Sequence, residues 1–127
     1  MIATILFFGC TSINELKSNC EKETNVTNIN KCYENLAIEF HDASICESVK
    51  DNCGYPYGCP NTLRCYYNVG FLGKDITTCD NTKNEEYKYN CYDGVGIGKK
   101  DISICNKIPD NYQSSKEYCK GGITPSQ

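Results

Sequence analysis

Apolar residues gather at two kinds of place in this chain. One is a nearly unbroken apolar run at the start, Met1 to Phe8. The other is a cluster that recurs three times in one register: Leu36-Ala37-Ile38, Val69-Gly70-Phe71 and Val95-Gly96-Ile97. Each cluster is opened by a Cys-Tyr pair (Cys32-Tyr33, Cys65-Tyr66, Cys91-Tyr92) and followed by Asp-x-Ser/Thr-x-Cys. Those closing segments are Asp42–Cys46, Asp75–Cys79 and Asp101–Cys105, so the two cysteines of each copy lie 14 positions apart. Period-two alternation is weak, which argues against strands. Asp42, Asp75 and Asp101 stand where helix N-caps belong. Ser18-x-x-Glu21, Ser44-x-x-Glu47, Thr82-x-x-Glu85 and Ser114-x-x-Glu117 have capping-box spacing. Pro109 should stop the helix that follows Asp101. The pattern predicts a mostly α fold, an array of short antiparallel helical hairpins with long loops, linked by disulfides in most hairpins.

The segments between these units repeat as well. Cys20 to Cys32 and Cys79 to Cys91 are each 12 apart, which makes the full period 26. Cys46 to Cys65 is 19 apart, seven longer, and Cys53 and Cys59 lie within that stretch. Cys105 to Cys119 is 14 apart, and Lys120-Gly121-Gly122-Ile123 echoes the segment after Cys91. The expected organisation is an N-terminal signal over residues 1–9, and a lipid-attachment cysteine with a tether over 10–19. A repeat domain over 20–123 with an insertion at 51–60, and a tail over 124–127, complete it.

Composition explains how so small an apolar complement could fold. The hydrophobic fraction is 39%, but it counts 11 Cys and 10 Tyr, so few aliphatic residues remain for a core. Cysteine at this density signals a disulfide scaffold outside the reducing cytoplasm. A bond closing a loop of about 13 residues contributes about 3 kcal/mol in the chain-entropy model, enough to support helices that are marginal alone. Two local pairings are open. The preferred one joins Cys20–Cys32, Cys46–Cys65, Cys79–Cys91 and Cys105–Cys119, with Cys53–Cys59 inside the insertion, and leaves no orphan. The other joins Cys32–Cys46, Cys65–Cys79 and Cys91–Cys105, and strands Cys20 and Cys119. Net charge is −3 with acids and bases interspersed. No basic cluster tracks phosphates, so nucleic acid is not an expected partner.

The apolar start is too short to cross a bilayer: eight residues span about 12 Å as helix against a core of about 30 Å. It reads as a signal h-region. Gly9 directly before Cys10 resembles a prokaryotic lipobox, in which the cysteine becomes the lipidated first residue; Phe7 stands where leucine is usual. With Cys10 lipidated, ten cysteines remain, an even number.

The Cys-Tyr-x-x-Leu-Ala … Asp-x-Ser-x-Cys unit resembles repeats of prokaryotic cysteine-rich surface lipoproteins, over about residues 20 to 123. That resemblance implies an extracellular helical module and supplies no catalytic residues. Gly70, Gly94, Gly96 and Gly98, where helix formers are expected, depart from it, as does the insertion.

The most distinctive candidate site is that insertion, Asp51 to Pro60. Its Gly and Pro enforce turns, and a Cys53–Cys59 bond would present Tyr55 and Tyr57 on a rigid loop suited to partner binding. Tyr33, Tyr66 and Tyr92 share one column, as expected for packing. No zinc site is expected, because the closest cysteines are six apart and His41 is the only histidine. Gly94-Val95-Gly96-Ile97-Gly98 lacks dinucleotide-loop spacing. Even pairing leaves no thiol for a nucleophile. Asn25-Val26-Thr27 is a glycosylation sequon. No cofactor is expected. The sequence therefore points to a non-enzymatic, lipid-anchored surface protein acting as an interaction or envelope-structural module, whose partner is another surface or envelope protein. A secreted effector or inhibitor acting through the Cys53–Cys59 loop is the alternative.

Overall fold

A computed structural model describes residues 11–51 and 60–123. Cys10, Cys53, Tyr55, Tyr57 and Cys59 lie outside the described residues. Among those that are described, helix is the only regular structure. Six α-helices occur there: α1 Ile13–Cys20, α2 Val26–Glu39, α3 Pro60–Gly73, α4 Glu85–Lys99, α5 Ile102–Cys105 and α6 Gln113–Ile123. Single 3₁₀ segments cover Ala43–Ser48, Ile76–Cys79 and Asp110–Tyr112. The repeat is thus an unequal pair, a helix of 14 or 15 residues followed by one or two turns, rather than two similar short helices. The folded part also begins before Cys20, in the stretch read as a tether: Ile13 and Leu16 of α1 pack on the core.

The Asp-x-Ser/Thr column is a corner built from side-chain chemistry. Asp42 accepts from the backbone N–H and the hydroxyl of Ser44, at 3.0 and 2.6 Å. Asp75 does the same with Thr77, at 3.0 and 2.7 Å, and Asp101 with Ser103, at 3.0 and 2.6 Å. All three aspartates are N-caps of the turn that follows. The hydroxyl bonds lower the carboxyl pKa values of Asp75 and Asp101, with the backbone N–H adding to the effect. Directly before each aspartate the chain turns through a left-handed residue: His41, Lys74 and Lys100, with φ of 50°, 54° and 55°. The N–H of Asp42 reaches back to Ala37 O and that of Asp101 to Gly96 O, closing the preceding helices in the Schellman manner. A side chain in this conformation is strained, and glycine is not. Lys100→Gly is therefore expected to stabilise the protein by about 0.5–1 kcal/mol, the strain relieved exceeding the entropy glycine adds to the unfolded chain. An unchanged or lower melting temperature for the disulfide-intact variant would contradict this.

The capping boxes are not used, and the reason is competition. Ser18 and Ser114 lie inside α1 and α6, and Ser44 is the donor to Asp42 rather than a cap. Thr82 yields to Asn84, whose carboxamide accepts from Tyr87 N at 3.2 Å. Ser12 and Asn25 cap α1 and α2 in the same way. Asn25 of the sequon is thus a cap. The helix after Asp101 ends at Cys105, and Pro109 then caps Asp110–Tyr112.

Four disulfides are formed among the described residues: Cys20–Cys32, Cys46–Cys65, Cys79–Cys91 and Cys105–Cys119, with Cα–Cα distances of 5.5 to 5.8 Å. Each ties a short element to the helix that follows it, so the alternative pairing through Cys32–Cys46 is not the one adopted. Apart from partly exposed Cys32, these cysteines are buried; those of the first three bonds sit among Leu36, Ile45, Val69, Val95 and Ile104, and Cys105 and Cys119 form a second cluster with Ile108. The thin aliphatic core is completed by sulfur.

The glycines that looked out of place in helices lie where helices meet. A Cβ on Gly70 would stand 2.2 Å from Cys91 O, one on Gly94 2.1 Å from Tyr67 O, and one on Gly98 2.5 Å from Phe71 O. Helices α3 and α4 therefore cross backbone to backbone. Gly96 faces the other way, where a Cβ would stand 2.7 Å from Cys119 Sγ.

Candidate functional site

The tyrosine column proves to be a packing device with a polar end. Tyr33 donates its hydroxyl to Glu21, the residue after the partner cysteine Cys20. Tyr92 donates to Asp80, the residue after Cys79, at 3.4 Å. Burial and then the acidic neighbour push the Tyr33 hydroxyl up to about 12. Tyr66 is wholly buried and stacks on Tyr87 with ring centroids 5.0 Å apart. Its hydroxyl has no hydrogen-bond partner among the described residues. These rings are structural.

A second buried group is Asp93 on α4, 2% exposed, with Oδ1 unpartnered among the described residues. Desolvation pushes its carboxyl up to about 8. The Tyr67 ring next to it meets Phe71 and, edge-on, Tyr118. The burial of Asp93 favours the protonated carboxyl.

An open groove with a mixed polar and apolar lining runs between α2 and α3, a cavity of about 450 Å³, within the size range of ligand pockets. Asn28, Lys31 and Glu34 line it from α2, and Asn61, Arg64 and Asn68 from α3. Glu34 is 8% exposed and accepts from Lys31 Nζ at 3.4 Å and from Asn68 Nδ2 at 3.3 Å. Arg64 reaches only the Asn61 carboxamide, at 3.4 Å, and has no carboxylate partner among the described residues.

The stem of the insertion borders this groove and is fixed at both ends. Asn30 on α2 donates to Lys50 O at 2.9 Å and accepts from Lys50 N at 2.7 Å, so one carboxamide grips one residue's backbone twice. Asp51 accepts from the N–H of Asn61 at 3.0 Å and of Thr62 at 2.7 Å, and from the Thr62 hydroxyl, and so caps the start of α3. Lys50 Nζ meanwhile pairs with Glu21 at 3.2 Å. The insertion therefore leaves and rejoins the frame at neighbouring, hydrogen-bonded points.

Sequence reasoning singled out the insertion and missed the groove beside it. The signal was the asparagines: Asn28, Asn30, Asn61 and Asn68 all occupy helices, where asparagine is a poor former. His41, exposed at its left-handed corner, has a conformational place. No grouping of three or more metal-ligating side chains occurs among the described residues, and no helix among them is long and apolar enough to cross a membrane.

Comparison of the chain with protein-family models, curated proteins and solved structures finds no match. The four disulfides are consistent with an oxidising or extracellular setting.

Proposed function

We propose that this protein is a non-enzymatic interaction module of the cell surface, held to the membrane by a lipid on Cys10, whose partner is another surface or envelope protein. The observation that supports this reading best is the α2–α3 groove beside the pinned insertion stem, carried on a frame stapled by disulfides. A stapled frame presents such a surface with little conformational entropy left to lose on binding. Tyr55 and Tyr57 would extend that surface from the insertion.

Detergent-phase partitioning of the full chain, produced in a host that lipidates surface proteins, tests the anchor. The protein is expected in the detergent phase, and the Cys10→Ala variant in the aqueous phase. If both stay aqueous, the anchored reading fails and the protein is a secreted effector. Tyr55→Ala/Tyr57→Ala, made together, is expected to weaken partner capture without changing the melting temperature; unchanged capture would remove the loop from the binding surface.

A further inference from the structure

We infer that the α2–α3 groove takes an extended peptide segment of the partner and holds an acidic residue of that segment on Arg64. This deepens the interaction-module reading and rests on it.

Three observations carry it. The first is a contact inside the molecule. Asn30 binds the N–H and C=O of Lys50 together, at 2.7 and 2.9 Å. The groove wall thus already holds one residue of main chain by its backbone. A carboxamide offers a donor and an acceptor side by side, which matches the two polar groups of a peptide backbone. The second is that more carboxamides line the same cavity. Among the described residues, the only bond seen for the Asn61 carboxamide is the long one from Arg64, and Asn68 has used a donor on Glu34 but keeps its oxygen. Asn28 lines the cavity as well. The third is charge. Lys31 is matched by Glu34, whereas the Arg64 guanidinium faces the groove with no carboxylate among the described residues. A guanidinium presents a planar fork of donors that fits a carboxylate bidentately. A groove of about 450 Å³ whose carboxamides and charges stand beside Val26, Val49 and Cys65 has room for a few residues of chain, polar backbone and side-chain stem together.

The test uses the full, disulfide-intact chain and two capped Ser/Thr-rich hexapeptides, one with a central glutamate and one with glutamine in its place. Binding is followed by the side-chain amide signals of Asn28, Asn61 and Asn68 in nitrogen-15 NMR. The glutamate peptide is expected to shift all three and to bind about tenfold tighter than its glutamine counterpart, an advantage lost in Arg64→Gln and weakened by salt. Equal binding of both peptides would overturn the role of Arg64. Absence of shifts at the three asparagines would overturn the groove as a peptide site. Polygalacturonate, an acidic saccharide, is titrated in parallel, and shifts produced by it and by neither peptide would overturn the peptide assignment. Failure here leaves Cys10-dependent partitioning unaffected, so it is distinguishable from failure of the anchored reading.

Discussion

Gly94→Ala is expected to destabilise the fold by about 3 kcal/mol, near the upper end for overpacking. The added Cβ would stand 2.1 Å from Tyr67 O and 2.7 Å from Phe71 N. Both atoms are backbone, so no rotamer change can relieve the clash, and α3 must move off α4. Gly70 meets the same obstacle from the other side, where Cys91 O lies 2.2 Å from its Cβ position. Moving α3 would also disturb the neighbouring Cys79–Cys91 bond, because Cys91 belongs to this crossing. The control runs the other way. A Cβ on Gly121 in α6 meets nothing within 4 Å, so Gly121→Ala is expected to stabilise by about 0.5–1 kcal/mol through helix propensity. Urea unfolding of the oxidised variants measures both. A Gly94→Ala protein as stable as the parent would mean that the helices do not cross this closely.

The second large effect is a pH dependence centred on Asp93. An unfolded Asp93 ionises near 3.8, whereas in the fold desolvation holds its proton to about 8. Between these values the folded state binds more protons than the unfolded one. Stability from this group is therefore fully present below 3.8 and falls as pH rises to about 8, then levels off. The slope where the two states differ by a full proton is about 1.4 kcal/mol per pH unit. Glu21, Asp75, Asp101 and Asp110, whose carboxyl pKa values are lowered, act in the opposite sense at more acidic pH. The readout is thus the difference between parent and Asp93→Asn across pH 5 to 9. That difference should move in favour of the variant as pH rises to about 8 and then level off. The carboxamide also needs partners, so the trend with pH matters more than the offset. Parallel stability curves for the two proteins would rule the explanation out.

What the sequence disclosed depended on the range of the interaction. The Asp42, Asp75 and Asp101 corners were legible because cap and hydroxyl stand two positions apart in one repeat. Spacing and parity favoured, over one other local scheme, the four bonds seen among the described residues. The capping boxes failed at Ser44 and Thr82 because a nearby Asp or Asn caps the element and so sets a different first residue, Asp42 two positions earlier and Asn84 two positions later, which spacing alone does not rank. The glycines were visible only as exceptions. The reason for Gly94 is a carbonyl on another helix, 27 positions back at Tyr67. The groove was hidden likewise: Asn28 and Arg64 share it only once α2 and α3 are packed.

The disulfides also determine how the chain would respond to mechanical load. Each of the four bonds joins one short element to the helix that follows it, and no two of the closed loops overlap along the chain. Tension applied along the chain passes through the sulfur bridges and bypasses everything enclosed between paired cysteines. The length that can be drawn out is limited to the stretches between bridges, such as Tyr33 to Ile45, and the rest stays folded back on its own staple.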